Sequence, residues 1–387
     1  MHVALFTDTY APQLNGVATV VTNLARELAR RGHEVTVATV TSPDGGAEAD
    51  AQARADGYRV VRYASAELPT YKEMRVALPT VLKSVRWALK SRPNLIHVQT
   101  PFGIGWEGVA LAKTFEVPLV GTHHTFIQDY MGHVKLDVPG ANTMARKVVS
   151  AFYNRCDLVT APSKAMVDDL RTSGVTVPVE LLRNPVDVAR FARAPSLRDA
   201  GRTALKLTGP TLLYFGRVSY EKNLPVLLEA AEPVLRALPE ARLLIGGDGP
   251  VRAELEASVK RAGLEQQVLF LGRLTGDDLV RAVGASDVFA STSLTENQPV
   301  SVIEAQAAGL PGVVFAERGM PEIVTDGVSG RVIKTGDVAA FSATLLELLG
   351  DATLRGKLAE GARANAQRYT IESVGADLLA LYEKLLP

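Results

Sequence analysis

Short apolar runs alternate with amphipathic helical stretches along the chain, and this alternation constrains the fold more than any other feature. A first series of runs lies at residues 3–7, 34–40, 95–98, 119–122 and 158–161, and a second at residues 211–215, 242–246, 268–271, 288–290 and 312–315. Apolar runs of this length between helical segments indicate buried strands. Strands that alternate with helices form parallel sheets covered by helices on both faces. The chain is therefore predicted to be an α/β protein with two Rossmann-like domains.

A polar stretch between the two series, which contains Pro195 and Gly209-Pro210, marks the predicted domain boundary. We place the first domain at residues 1–195 and the second at residues 196–370. Ligands of such sheets bind at the carboxyl ends of the strands, so a cleft between the domains is the expected site. The stretch at residues 43–57, which is rich in Gly, Ala and Asp, is predicted to be a surface loop.

The composition supports a soluble protein with two cores. The 387 residues are enough for two domains, and the formal net charge of zero gives no overall basis for binding nucleic acid. The single cysteine, Cys156, excludes an internal disulfide framework and fits a reducing compartment, where we expect a buried structural thiol. No basic leader opens the chain and no apolar stretch reaches ~18 residues, so a cytoplasmic protein without a membrane span is predicted.

Glu296 and Glu304 flank the start of a short predicted helix. Pro299 is predicted as its first residue, because its missing N–H group would be unpaired there anyway, and Gly309 ends it. The helix N-terminus offers N–H groups and a partial positive charge that suit a phosphate. Carboxylates on either side can accept hydrogen bonds from sugar hydroxyls, so this segment could bind both ends of a nucleotide sugar. Taken alone, two glutamates at this spacing are more often ordinary surface residues.

Two cations, Arg217 and Lys222, follow the first strand of the second series in the motif Gly216-Arg217-x4-Lys222-Asn223. Arginine binds a diphosphate through a bidentate fork, and lysine binds it as a point charge. The chain contains no Asp-x-Asp motif that would hold a metal ion. We therefore predict that these cations, without a metal, neutralise charge on a diphosphate. A solvated loop is the alternative for either cation alone.

Three further motifs place glycine or histidine at the end of a predicted strand or in the loop after it: Asn15-Gly16-Val17, Gly246-Gly-Asp-Gly249 and Gly121-Thr-His-His124. Glycine lets the backbone approach a ligand closely. No other His or Cys shows the spacing of a metal site, which disfavours a metal role for His123 and His124, and a structural role for one of the pair stays open. The absence of Gly-x-Gly-x-x-Gly disfavours a dehydrogenase.

These motifs, in this order, resemble the signature of family-4 retaining glycosyltransferases, which are two-domain enzymes of the GT-B fold that use nucleotide-sugar donors. The resemblance covers the whole chain, from the opening Phe6-Thr-Asp-Thr-Tyr-Ala-Pro-Gln-Leu-Asn-Gly16-Val to the Glu-x7-Glu pattern. It implies that the last helix, within residues 371–387, crosses back onto the first domain. It also implies that the nucleotide sugar is a substrate and that neither a cofactor nor a metal is needed.

The same resemblance assigns roles to individual residues. The catalytic residues would be His124, Arg217, Lys222 and Glu296. The donor-binding residues would be Gly16, Gly247, Gln298, Pro299, Val300 and Glu304. Within this set Glu304 would bind the ribose hydroxyls and Glu296 the hydroxyls of the transferred sugar. Asp129 and Tyr130 lie in a segment similar to the acceptor region of lipid glycosyltransferases.

A basic segment at residues 71–93 contains a predicted helix from Pro79 onward. On a helical wheel the apolar face comprises Leu78, Val81, Leu82, Val85 and Leu89, and the opposite face comprises Lys83, Arg86, Trp87 and Lys90. A tryptophan among cations, away from the core, is typical of a helix at a membrane interface. We predict that this face contacts anionic lipid at the inner face of the membrane. The alternative is a solvated basic helix with Trp87 packed on a neighbour.

The sequence thus favours a retaining hexosyltransferase that uses UDP-glucose or UDP-galactose and a lipid acceptor such as diacylglycerol. Gln298 is similar to the residue that diacylglycerol glucosyltransferases carry, whereas Pro299 departs from the Gly that is frequent there. The nearest alternative is a GDP-mannose-dependent α-mannosyltransferase. More distant alternatives are a sugar-nucleotide epimerase and a nucleotide-sugar-binding protein without catalysis. The oligomeric state does not follow from the sequence.

Overall fold

The computed structural model describes residues 1–13, 15–42, 45–68, 71–77, 81–124 and 141–386. The chain forms two units, Met1–Pro185 with Ile371–Pro387, and Val186–Thr370. The boundary follows residue 185, ahead of the predicted position at 195/196. Residues 188–204 belong to the second unit because their short helices pack on helices of that unit.

The first unit contains nine strands in its described part. They are β1 (His2–Phe6), β2 (Glu34–Val40), β3 (Arg59–Tyr63), β4 (Ser65–Leu68), β5 (Tyr71–Ala77), β6 (Leu95–Val98), β7 (Leu119–Thr122), β8 (Leu158–Ala161) and β9 (Val179–Leu181). Seven of them form one parallel sheet in the order β3-β2-β1-β6-β7-β8-β9, and β4 pairs with β5 in an antiparallel hairpin. The strands predicted for this half are therefore confirmed as a parallel sheet.

In the part of the first unit that the structure describes, six helices follow these strands. They are α1 (Gly16–Arg30), α2 (Ala47–Ala55), α3 (Val81–Ser91), α4 (Gly103–Phe115), α5 (Ala141–Tyr153) and α6 (Lys164–Thr172). Apolar side chains of α3 to α6 form a core on one face of the sheet, and those of α1 and α2 contribute to a second core on the other face. Cys156 is 4% exposed in the first of these cores, and burial raises the pKa of its thiol to about 12.

The second unit repeats this architecture with six parallel strands. They are β10 (Thr211–Phe215), β11 (Arg242–Gly246), β12 (Val268–Gly272), β13 (Val288–Ser291), β14 (Gly312–Phe315) and β15 (Gly330–Ile333). Their order in the sheet is β12-β11-β10-β13-β14-β15. The helices are α7 (Val188–Ala192), α8 (Arg198–Ala204), α9 (Leu224–Ala237), α10 (Arg252–Ala262), α11 (Gly276–Ala285), α12 (Val300–Ala307), α13 (Met320–Ile323), α14 (Val338–Gly350) and α15 (Ala352–Ala366). They cover both faces of the sheet, each with its own core.

The last helix, α16 (Ile371–Glu383), returns to the first unit, as the resemblance implied. It packs on α1, where Gly375 fits because a side chain would lie 2.5 Å from Cγ of Glu27. The Tyr382 hydroxyl lies 2.7 Å from Nδ1 of His97, and Nε2 of that ring lies 2.6 Å from the Thr122 hydroxyl. Burial lowers the pKa of His97 to about 3, so this histidine is a neutral anchor for the helix.

Each sheet has one point at which its strand order changes direction. In the first unit β1 lies between β2 and β6, and in the second β10 lies between β11 and β13. The connections on either side leave the sheet in opposite directions, which opens a crevice at the carboxyl ends of the two central strands. Chemistry-bearing residues are therefore expected in the loops after β1 and β6, and in the loops after β10 and β13.

Candidate active site

The loops after β10 and β13 bring two predicted catalytic residues into direct contact. Lys222 ends a short 3₁₀ turn, Tyr220–Lys222, and Glu296 lies in the loop between β13 and α12. The Lys222 ammonium donates a hydrogen bond to Oε1 of Glu296, and the two side chains are 19% and 17% exposed. An ion pair this well covered is screened less by salt than a surface pair. The loops therefore hold a cation and a carboxylate together where the strand order changes direction.

Arg217 lies near the start of the same loop, two residues after β10 ends. The buried Tyr214 hydroxyl donates a hydrogen bond of 2.8 Å to the Arg217 carbonyl oxygen, which fixes the start of the loop to its own strand. Burial, with the nearby charges of Glu296 and Glu221, raises the pKa of Tyr214 well above its ordinary value. Tyr214 therefore stays protonated and keeps its role as a donor. The Arg217 side chain is partly exposed beside this anchor.

The glycine motif after β11 packs directly against the loop after β10. Gly247 has a φ of 134°, and a Cβ atom there would lie 1.8 Å from the Gly216 carbonyl oxygen. A Cβ atom on Gly249 would lie 2.2 Å from the Val218 carbonyl oxygen. The backbone amides of Gly216 and Val218 donate to the carbonyls of Gly246 and Asp248, at 2.9 and 3.0 Å. These glycines therefore let two loops meet backbone to backbone, which is a structural reason for them in addition to the predicted approach of a ligand.

Helix α12 starts one residue later than predicted. Pro299 is its N-cap, with φ −67° and ψ 122°, and Val300 is the first helical residue. The prediction that the proline is the first helical residue is therefore off by one position. The proline still marks the helix start, where it has no N–H group to leave unpaired. Gln298 and Pro299 are buried, whereas Val300 is partly exposed.

Glu304 lies in α12 near residues of α7. Burial raises the pKa of the Glu304 carboxyl to about 7, the charge of Arg190 lowers it, and Asp187 adds to the rise. The carboxyl is thus poised to change its protonation state near neutral pH. Strongly shifted groups of this kind concentrate at functional sites.

In the first unit, His124 follows β7 and contacts a residue that the sequence analysis missed. His124 Nε2 donates a hydrogen bond of 2.8 Å to Oε1 of Gln99, which follows β6 and is fully buried. Burial lowers the pKa of His124 to about 4, so the imidazole is neutral at physiological pH. His123 instead faces the core, with Nδ1 3.2 Å from the Tyr153 hydroxyl. Of the two adjacent histidines, His124 is the partly exposed one.

Gly16 is the first residue of α1 and is exposed. Asn15 caps the helix by accepting a hydrogen bond of 2.9 Å from the Ala18 amide, and its own amide donates to the Thr9 hydroxyl at 2.6 Å. Apart from Gly16 itself, its two chain neighbours and the backbone of its own helix, no described atom lies within 4 Å of the position that a Cβ atom of Gly16 would take. In contrast to Gly247, the described surroundings of Gly16 therefore give no packing reason for a glycine.

Asp8, which the sequence analysis also missed, joins the loops after β1 and β6. The Thr100 hydroxyl donates to Oδ2 of Asp8 at 2.6 Å, and the Ile104 amide in the first turn of α4 donates to Oδ1 at 3.0 Å. Burial raises the pKa of Asp8 to about 6, although these hydrogen bonds lower it. Asp8 thus caps a helix whose own N-cap residue, Phe102, provides no side-chain bond.

The prediction that Trp87 lies on the polar face of α3 is wrong. Trp87 packs edge-on against Phe6 and His2, with ring centroids 6.1 and 5.9 Å apart. It therefore contributes to the core instead of the polar face of α3.

The two predicted acceptor residues, Asp129 and Tyr130, are among the residues that the structure does not describe. In the described ranges, no helix is both long and apolar enough to cross a membrane.

Comparison with known proteins identifies the class. Residues 14–190 match the family model described as Glycosyltransferase Family 4, and residues 198–365 match that of Glycosyl transferases group 1. The alpha-monoglucosyldiacylglycerol synthase of Streptococcus pneumoniae is 28% identical over 338 residues, which cover 86% of this chain and 75% of that protein. The GDP-mannose-dependent alpha-mannosyltransferase of Mycobacterium tuberculosis is 29% identical over 339 residues, with 87% and 85% covered.

A solved structure shares the fold. The Anabaena protein Alr3699/HepE, determined in complex with UDP, superposes with a TM-score of 0.81 at 21% identity over all of both chains. The fold and these matches define a glycosyltransferase. The chain belongs to the family-4 glycosyltransferases and has their GT-B fold.

Proposed function

We propose that this protein transfers an α-hexosyl group from UDP-glucose or UDP-galactose to a hydroxyl of a membrane lipid such as diacylglycerol, with retention of configuration and without a metal ion. The observation that supports this most is the contact between Lys222 and Glu296 in the second unit, close in sequence to Glu304. A cation for a diphosphate and carboxylates for sugar hydroxyls are the groups that a nucleotide-sugar site needs.

In the proposed reaction the acceptor oxygen attacks the anomeric carbon from the face that the diphosphate leaves. The bond between that carbon and the diphosphate oxygen breaks, and the acceptor proton passes to the departing phosphate. Arg217 and Lys222 neutralise the charge that builds on the nucleotide diphosphate, which takes the place of a metal ion. Glu296 orients the sugar hydroxyls, and the neutral His124 imidazole donates or accepts a hydrogen bond with the transferred sugar.

The donor side depends on the second unit. Glu304 accepts hydrogen bonds from the ribose hydroxyls, and the first turn of α12, with Gln298, Pro299 and Val300 before and within it, faces the phosphates. Gly16 in the first unit and Gly247 in the second would let their backbones approach the donor. Uridine nucleotides are favoured because Alr3699/HepE was determined with UDP and the synthase from S. pneumoniae is named for glucosyl transfer.

The lipid acceptor is supported by that relative's name and by the surface of helices α3 to α5. Lys83, Arg86 and Lys90 are exposed on α3. Large apolar side chains are exposed on the same three helices: Leu89 (60%), Trp106 (37%), Met144 (64%) and Val148 (50%). Cations beside exposed apolar groups suit the surface of an anionic membrane. We therefore propose a peripheral protein of the cytoplasmic membrane face, with the exposed Leu89 of α3 in the place that Trp87 was expected to take.

Replacement of Lys83, Arg86 and Lys90 by Gln tests the membrane surface. Each cation near an anionic surface contributes about 1 kcal/mol, so binding to anionic vesicles should weaken by roughly 30- to 150-fold. The lower value applies if Lys83, whose ammonium already donates to the Arg62 carbonyl at 2.5 Å, contributes little. The matched control replaces the exposed Lys260, Arg261 and Lys357 of the second unit in the same way. Equal vesicle binding by both triple variants would move the membrane contact elsewhere.

A panel of donors tests the function itself. The purified protein is incubated with labelled UDP-glucose, UDP-galactose or GDP-mannose, with and without anionic vesicles that contain diacylglycerol, and labelled lipid and released nucleotide are measured. We expect labelled lipid from a uridine donor. Labelled lipid from GDP-mannose alone would establish the second candidate, which the mycobacterial relative favours. Nucleotide release without labelled lipid would reject the lipid acceptor, and donor binding without turnover would reject catalysis.

A further inference from the structure

The loops that carry Lys222 and Glu296 are joined by a reciprocal pair of hydrogen bonds between Asn223, which follows Lys222, and Thr292, which lies four residues before Glu296. The Asn223 side-chain amide donates to the Thr292 carbonyl oxygen at 3.1 Å. The Thr292 hydroxyl donates to the Asn223 carbonyl oxygen at 2.8 Å. Thr292 is fully buried. The two residues are 69 positions apart in sequence, so these bonds fix one loop against the other and not within itself.

Asn223 has a conformation that suits this role. Its φ of 54° lies in the left-handed region, which asparagine tolerates better than most residues. It also stands at the N-cap of α9, where an asparagine side chain normally accepts a bond from the first turn of its helix. Here the side chain makes no such bond and donates to Thr292 instead. The residue thus uses its side chain to join the loops and leaves its own helix without a side-chain cap.

A third hydrogen bond acts beside these two. The Ser293 hydroxyl donates to the Glu221 carbonyl oxygen at 3.2 Å. Lys222 therefore lies between Glu221 and Asn223. The carbonyl oxygens of these two residues accept hydrogen bonds from Ser293 and Thr292, which are neighbours in the loop after β13. Glu296, the partner of Lys222, follows in that same loop. The backbone on both sides of Lys222 is consequently held by the side chains of Thr292 and Ser293, which do not belong to the ion pair.

We infer that Asn223 and Thr292 are positioning residues that hold the Lys222 ammonium against Glu296, in the place from which it meets the donor diphosphate. The inference rests on the proposed function for the identity of that donor. A misplacement of a catalytic group by about 1 Å can reduce turnover by about 100-fold. Loss of either hydrogen bond should therefore lower kcat while the residues that bind the nucleotide stay in place.

The first test measures kcat and KM with UDP-glucose and vesicles that contain diacylglycerol. Thr292→Val removes the hydroxyl at nearly constant volume, and Asn223→Gly removes the amide while keeping a residue suited to left-handed φ. Each should lower kcat at least 10-fold with less than a threefold change in KM for UDP-glucose. The double variant should be no more than about threefold slower than the slower single variant, because the two bonds form one connection. Thr292→Ser, which keeps the hydroxyl, should restore kcat to within about threefold of wild type.

Thr211→Val is the matched control. Thr211 is also fully buried, and its hydroxyl also donates to a backbone carbonyl, that of Gly209 at 3.2 Å, but it lies at the other end of β10. It should lose thermal stability comparably to Thr292→Val and keep its kcat. A kcat for Thr292→Val within twofold of wild type, or an equal loss of kcat in both variants, would overturn the inference.

The second test does not depend on turnover. The acetylation rate of the Lys222 amine by an N-hydroxysuccinimide ester is measured by mass spectrometry in the donor-free protein. The rate should rise at least threefold in Thr292→Val and Asn223→Gly, as it should in Glu296→Gln, and stay unchanged in Thr211→Val. Unchanged acetylation in the first two variants would overturn the inference. If wild-type protein transfers no sugar but these rates rise as expected, the proposed function fails and the positioning of Lys222 stands.

Discussion

Binding of UDP-glucose should tighten by about tenfold between pH 6 and pH 8, and Glu304→Gln should remove this dependence. Burial raises the pKa of the Glu304 carboxyl to about 7. About one carboxyl in eleven is then ionised at pH 6 and about ten in eleven at pH 8. Only the carboxylate accepts hydrogen bonds from both ribose hydroxyls, so affinity follows the ionised fraction, and the tenfold change corresponds to about 1.4 kcal/mol.

The same group should affect stability in the opposite direction. Because the pKa of Glu304 is raised in the folded state, the fold binds this proton more tightly than the unfolded chain does. The stabilising contribution is complete below about pH 4.5 and is lost as the pH rises through about 7. The Tm of ligand-free wild type should therefore fall between pH 5 and pH 7.5 relative to that of Glu304→Gln, while donor affinity rises.

Isothermal titration calorimetry without acceptor measures this directly. UDP-glucose is the better ligand than UDP, because a terminal phosphate itself titrates near pH 6 and would add its own pH dependence. In buffers of different ionisation enthalpy, wild type should release close to one proton on binding at pH 6. The exposed Glu254→Gln serves as the control and should keep both effects. The ribose role of Glu304 is refuted if wild-type affinity is flat with pH, or if Glu304→Gln keeps the wild-type slope.

Three further substitutions have expected outcomes. Lys222→Ala should reduce kcat by about 10²–10³-fold, as for loss of one preorganised charge, and near wild-type turnover would exclude its role. Gly247→Ala places a Cβ atom 1.8 Å from the Gly216 carbonyl oxygen and should lower the free energy of unfolding by more than about 2 kcal/mol in denaturant melts; an unchanged melt would contradict the packing. Gly16→Ala has open space and should keep its Tm, so a fall in kcat would report approach of the donor, whereas unchanged kcat would remove Gly16 from the site.

The position of a strand in its sheet largely decided whether the sequence predicted it. The ten predicted runs all correspond to strands, and nine of them occupy interior positions of a sheet. The missed strands of the parallel sheets, β3, β9 and β15, are edges. An edge strand is covered on fewer sides, so polar residues such as Arg59 and Arg62 of β3 interrupt its apolar pattern. Similarly, residues 43–57 were predicted to be a loop although they contain α2. The helix was missed because its buried face includes little more than Ala53, which leaves almost no periodic signal in the sequence.

The error on α3 has a definite cause. The helical wheel took the largest aliphatic residues as the inward face, but the buried residues of this helix include Ser84 and Ala88, beside the partly buried Trp87. Ser84 is 1% exposed and its hydroxyl bonds to the Glu107 carboxylate, so a polar residue occupies a core position. A helical wheel ranks side chains by hydrophobicity. It therefore does not identify a small residue that faces the core where another helix packs closely. Conversely, Leu89, which the wheel placed on the inward face, is 60% exposed.

The sequence names candidate site residues one by one but does not show how they are arranged. The motifs identified Lys222 and Glu296 separately, and the sheet order explains why the loops that carry them are neighbours. Their direct contact spans 74 positions, and the bonds of Asn223 to Thr292 span 69. Such contacts arise from tertiary packing, which leaves no periodic signal in the sequence. Gln99 was missed for the same reason, since only the fold brings the ends of β6 and β7 together beside His124.

An assay of sugar transfer in the presence of EDTA tests the central claim most directly. Wild type and Lys222→Ala are compared side by side for transfer of labelled glucose from UDP-glucose to vesicles that contain diacylglycerol. The account predicts labelled glycolipid from wild type at a rate that EDTA does not change, and a rate at least about 100-fold lower for Lys222→Ala. Loss of wild-type activity in EDTA that Mg²⁺ restores, or equal activity of the two proteins, would contradict a site in which protein cations carry the charge of the departing diphosphate.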